Sequence, residues 1–140
     1  MSIQAPTAAE LLNHATVNEA LEQAWLDSLP NDASRRHEEG GWIYMDIQTG
    51  IVSVRRARAG DRFVLDVSAP PTVFGSVVVA TFHTHPNLTA DGWNPSPSRA
   101  DTESACMLGV PCIIRADDGV HTTGPASRRS GLTGDPGYPS

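Results

Sequence analysis

The residues of this chain whose types and spacing could do chemistry are His83-Thr84-His85-Pro86 and, further on, Ser98-Arg99-Ala100-Asp101. In an extended strand, residues two apart project from the same face, so the His83 and His85 imidazoles can grip one ion together. An Asp at the third position of a following helix can swing its carboxylate back across the intervening loop. Asp101 would thereby complete a set of two nitrogens and one oxygen with a fourth position open for water. Each fragment also has an ordinary reading. His-x-His is a frequent chance pattern, and Ser98 with Asp101 has the spacing of a capping box at a helix start.

Several elements must position these residues. Residues 77–82, Val-Val-Val-Ala-Thr-Phe, form a continuous apolar β-rich run suited to a central strand buried on both faces, and the histidines follow at its end. Residues 98–108 have the length and composition of a helix, which Gly109 closes. Residues 110–115 and 120–123, with Asp118-Gly119 between them, predict a final strand pair. Residues 42–48 and 51–54, joined at Thr49-Gly50, predict a hairpin, and Phe63-Val64-Leu65-Asp66-Val67 predicts a third strand. Ahead of these, Thr7 with Glu10 and Thr16 with Glu19 each have capping-box spacing. The second start is the stronger, because Val17, Ala20, Leu21, Ala24, Trp25 and Leu29 form one apolar stripe until Pro30-Asn31 ends it. A helix over about 17–29 follows. Residues 86–98 have loop composition, and from Gly124 onward Gly, Pro, Ser and Thr predict a flexible tail over 126–140.

A chain of 140 residues with 39% apolar side chains fits one domain. Sixteen acidic residues against ten basic ones give a formal charge of −6, and every basic residue is Arg; there is no Lys. That balance opposes a nucleic-acid footprint and a basic membrane-surface helix. No apolar run approaches a membrane span, and the first residues lack the pattern of a secretion signal, so a cytoplasmic location is expected. Cys106 and Cys112 have neither zinc-ribbon nor redox-motif spacing and read as two partly buried thiols. Asn87-Leu88-Thr89 reads as a chance glycosylation match.

In this order, joined by a proline-rich loop, the His-x-His-Pro and Ser-x-x-Asp fragments resemble the JAMM motif of the MPN family of zinc metalloproteases. The resemblance spans roughly residues 37–125 and is to a compact, prokaryotic-type stand-alone JAB domain. It implies an α/β fold in which a mixed central β-sheet is flanked by helices, with a cytidine-deaminase-like architecture, in a single domain over residues 1–125. Family members carry a catalytic Glu at the start of the first core strand, commonly as Glu-x-x-Gly. In Glu38-Glu39-Gly40-Gly41, Glu38 matches best and Glu39 is the alternative. Two departures stand out. The loop over residues 87–97 is longer than usual, which puts Ser96 in play as a competing hydroxyl. A helix usual before the His-x-His strand is reduced to the short 70–76 segment.

The resemblance implies one Zn²⁺ per chain held by His83, His85 and Asp101, with Glu38 as general base and Ser98 as donor to the developing oxyanion. Thr84 would pack on the opposite face, Pro86 would fix the strand's exit, and Trp93 would either contact substrate or pack the loop. His37, next to Glu38, would either contact substrate or order the base, or stand as an exposed loop residue. The implied substrate is an isopeptide or peptide bond after the C-terminal glycines of a ubiquitin-like or sulfur-carrier protein, its tail added as a strand beside the His-x-His strand. For a protein that handles lysine-linked modifiers, the absence of Lys leaves no side-chain attachment point. Two alternatives stay open: a non-catalytic MPN-type scaffold, which a complete residue set disfavours, and a zinc hydrolase of another amide in a toxin or defence system.

Overall fold

The computed structural model describes residues 3–133. Two helices, α1 (Ala8–Leu11) and α2 (Ala15–Asp27), precede a hairpin of β1 (Gly40–Asp46) and β2 (Val52–Arg56). Next come β3 (Ser76–Thr84), a 3-10 turn (Thr89–Asp91), α3 (Arg99–Leu108), β4 (Cys112–Ala116) and β5 (Gly119–Thr123). The five strands form one sheet in the order β2-β1-β3-β4-β5. All neighbours are antiparallel except β3 and β4, whose parallel pairing requires the α3 crossover. The fold is thus mixed α/β, and β3 is its middle strand, buried along its whole length.

One irregularity in β3 decides where the histidines point. Ile43 pairs with Ala80 but Tyr44 with Val78, so Val79 is an extra, bulged residue. Before the bulge, Val77 and Val79 face the core under α2; after it, Ala80 and Phe82 do. Val78 therefore packs on the opposite face with Trp42 and Tyr44, and the residues alternating with Phe82 are turned to that face as well. Strand β4 continues the division. Ile113 joins Leu21, Ala24 and Phe82 beneath α2, while Cys112 and Ile114 pack with Ala105 of α3. The residues of β3 at positions 81 and 83 share the α3 side.

The hairpin, the middle strand, the α3 helix and the final strand pair form as the sequence predicts. Four expectations are corrected. The Phe63–Val67 stretch is not a strand: Asp61 N donates to the Val64 carbonyl and Asp61 Oδ1 accepts from the Phe63 and Val64 amides, which closes a turn where the strand was expected. Residues 57–75 instead run irregularly over the Trp42 and Tyr44 face, held by bonds from Trp42 Nε1 to the Val67 carbonyl and from the Tyr44 hydroxyl to the Pro71 carbonyl. The same course leaves no helix over 70–76. Helix α2 spans Ala15–Asp27, with His14 at the N-cap and no side-chain cap bond. The capping box forms at Thr7 and Glu10 instead, and Leu29 enters the left-handed region with φ 52° just before Pro30.

The fourth correction concerns the tail. Over residues 126–133 it is packed: Ala8 N donates to the Ala126 carbonyl, Arg129 N donates to the Gly109 carbonyl, and Leu132 lies against the core. Arg128 is buried and donates to the Val78 carbonyl at 2.9 Å. Polar composition hid a segment that one long side chain pins. Residues 134–140, the rest of the expected tail, lie outside the described residues. No helix among the described residues is long and apolar enough to cross a membrane.

Candidate metal centre

His83 and His85 sit at the C-terminal end of β3, where the backbone stays extended because His85 N donates to the Arg115 carbonyl of β4. Helix α3 brings Asp101 to them. His83 Nε2 lies 3.3 Å from Asp101 Oδ1, His85 Nε2 lies 3.2 Å from Asp101 Oδ2, and the two Nε2 atoms are 3.3 Å apart. These donor atoms all lie within 4.8 Å of one another, close enough to hold a metal ion. The capping box is real too: Asp101 Oδ2 accepts from Ser98 N, and Ser98 Oγ accepts from Asp101 N. The two readings of Ser-x-x-Asp are therefore one structure, in which the cap fixes the carboxylate that faces the histidines.

The electrostatics of the cluster test whether a cation fits. Burial by itself would raise the Asp101 carboxyl, but bonds to His83 and His85 outweigh it and hold the group well below the usual carboxylate range. Burial likewise opposes charge on His83, yet the neighbouring Cys112 and Asp101 raise its pKa well above the ordinary histidine value. The donor set draws positive charge to its centre, as a metal site must. Each imidazole has a second partner on its other nitrogen. His85 Nδ1 meets the Pro95 carbonyl at 3.2 Å, and His83 Nδ1 meets Cys112 Sγ at 3.5 Å. Such partners set ring orientation and tautomer.

Glu38 reaches the same cleft from the entry to β1. Its backbone is fixed by bonds from Glu38 N to the Asp61 carbonyl and from Gly60 N to the Glu38 carbonyl. Its side chain, 6% exposed, lines a cavity of about 230 Å³ together with His83, Ser98, Asp101 and Cys112. Burial pushes its carboxyl up to about 7. Glu39 is committed elsewhere, to Arg56 at 2.7 Å and His37 at 2.8 Å. The glycines that follow have a steric reason. A Cβ at Gly40 would stand 2.0 Å from the Phe82 carbonyl, and one at Gly41 would stand 2.0 Å from the Arg55 carbonyl. Only glycine lets β1 thread between its neighbours there.

The other candidates divide. Ser98 lines the cleft, whereas the Ser96 amide bonds within its loop to Asn94. Thr84 faces away as expected, bonded to Ser28 Oγ and accepting from Glu39 N, so it ties β3 to the end of α2. His37 is half-buried rather than exposed, held between the Arg35 carbonyl and Glu39. Trp93 packs on Phe63 with ring centroids 5.7 Å apart, at the rim of a second cavity of about 150 Å³ beside His85. Cys106 and Cys112 are both free thiols.

Sequence reasoning missed Cys112, Pro95 and Phe63 as site neighbours. The strand period carried a signal for Cys112, which alternates with the core residue Ile113. Nothing in the sequence marks a proline carbonyl as a histidine's partner. Comparison of the chain with protein-family models, curated proteins and solved structures gives no match.

Proposed function

We propose that this protein is a zinc-dependent hydrolase of an isopeptide or peptide bond, of the JAMM type that its motif resembles. The observation that supports it is the convergence of two imidazoles and a carboxylate beside a second, buried carboxylate with a pKa of about 7. A scaffold has no need of that fourth group. His83, His85 and Asp101 would hold the metal, whose Lewis acidity polarises a carbonyl and makes water a better nucleophile near neutral pH.

The remaining chemistry belongs to the chain. Glu38 takes a proton from the water as its oxygen bonds to the scissile carbonyl carbon. It then passes that proton to the amine nitrogen as the carbon–nitrogen bond breaks. A cation held by His83, His85 and Asp101 would favour the carboxylate form of Glu38, the form that takes the proton. Ser98 Oγ accepts from Asp101 N, which leaves its own proton free to donate to the carbonyl oxygen as negative charge develops.

The substrate class follows from the resemblance: the glycine-ended tail of a ubiquitin-like or sulfur-carrier protein. Strand addition beside β3 is corrected, because β1 and β4 occupy both of its edges. The tail would instead lie in the cleft between residues 62–67 and the start of α3, where Phe63 and Val64 are exposed.

The test is incubation of zinc-loaded wild type and Glu38→Gln with a panel of such fusions, read by mass spectrometry. Cleavage after the terminal glycine, lost on chelation and lowered about 10²- to 10⁴-fold by Glu38→Gln, is the expected result. Undiminished cleavage by Glu38→Gln would refute the assigned base.

A further inference from the structure

We propose that Cys112 is the positioning residue of His83: its Sγ accepts the Nδ1 proton and so keeps the Nε2 lone pair aimed at Asp101. The inference rests on the metal-site reading above. Three observations on different levels carry it. In the sheet, Thr81 pairs with Cys112 and His83 with Ile114, so Cys112 lies one step back along the neighbouring strand. Cys112 packs with Ala105 and Ile114 and lines the same cavity as His83, which puts both side chains on one face. Both residues are buried, at 4% and 8% exposure, and the 3.5 Å separation is a sulfur hydrogen-bond distance.

The chemistry runs in one direction. An imidazole that ligates through Nε2 carries its proton on Nδ1, and that N–H needs an acceptor where water does not reach. Sulfur is a weak acceptor, but it is the partner that β4 provides. If the thiol donated instead, the ring proton would sit on Nε2, facing His85 and Asp101, and would block ligation. The sulfur itself stays on the far side of the ring and is absent from the converging donor set. His85 is served by the Pro95 carbonyl, so each histidine has its own acceptor, one from a loop and one from a strand.

The experiment is zinc affinity by competition with a calibrated chelator, on wild type, Cys112→Ala, Cys112→Ser and Cys106→Ser, each checked for folding by circular dichroism. Cys112→Ala is expected to bind about 10- to 100-fold more weakly. Cys112→Ser restores an acceptor of similar size and should return to within about threefold of wild type, and Cys106→Ser should match wild type. A folded Cys112→Ala that binds zinc as tightly as wild type overturns the proposal. Equal weakening in Ala and Ser overturns it also, because it assigns Cys112 to packing. Wild type that takes up no zinc refutes the metal-site reading instead, an outcome distinct from either.

Discussion

Replacing Glu38 with Gln keeps the side chain's shape and removes its titration, so the variant should lose catalysis while gaining stability at alkaline pH. Burial lifts the carboxyl from 4.5 to about 7. Below the lower value both folded and unfolded states hold the proton, and wild type and variant match. Between the two values the folded protein keeps a proton that the unfolded chain has released, so wild-type stability falls as pH rises. Above the upper value the full cost stands. At 1.36 kcal/mol per pKa unit it amounts to about 3 kcal/mol. The substituted amide does not titrate, so the difference between their curves reports Glu38 together with its charge coupling to His83, His85 and Asp101. Urea unfolding of metal-free protein, followed by tryptophan fluorescence from pH 5 to 9, reads it directly. Glu38→Gln should overtake wild type through the neutral range and lead by about 3 kcal/mol at pH 9. A difference that does not change with pH would refute the buried, high-pKa assignment.

Other consequences test separate parts of the account. Ser98→Ala should cost about 1 kcal/mol in thermal unfolding through the lost helix cap, with a fall in rate of about 10²-fold or more. Asp101→Asn can still accept from the Ser98 amide, so it should keep the fold in circular dichroism while losing zinc affinity in calorimetry. Gly41→Ala drives a Cβ to 2.0 Å from the Arg55 carbonyl, and a loss of about 3 kcal/mol or more in denaturant titration is expected. Truncation after residue 125 removes the Arg128 bond to Val78 and uncovers core beside Leu132; it should lower stability by about 2 kcal/mol or more.

How far the sequence reached depended on the range of the interactions involved. The strand at 77–82 and the helix closed by Gly109 were legible because local period and a left-handed cap decide them. His83, His85 and Asp101 were legible because their spacing on a strand and a helix start is itself the geometry. The Phe63–Val67 stretch misled because a distant partner holds it: Trp42 Nε1 donates to the Val67 carbonyl and lays the segment over the face of the sheet instead of along an edge. The α2 start misled because the Asn18 amide bonds to the His14 carbonyl, placing the first turn ahead of Thr16. Arg128 was invisible for a related reason: its partner, the Val78 carbonyl, lies fifty residues away in sequence. The bulge at Val79, which turns the histidines to the α3 side, leaves no mark in an unbroken run of valines.

The central claim is a metal held by three named side chains, and elemental analysis tests it most directly. Wild type and His85→Ala would be stripped with chelator, reloaded with Zn²⁺ and desalted before measurement. One zinc per chain in wild type, with almost none in a folded His85→Ala, is the result predicted. Zinc-free wild type, or equal loading of both proteins, would contradict it.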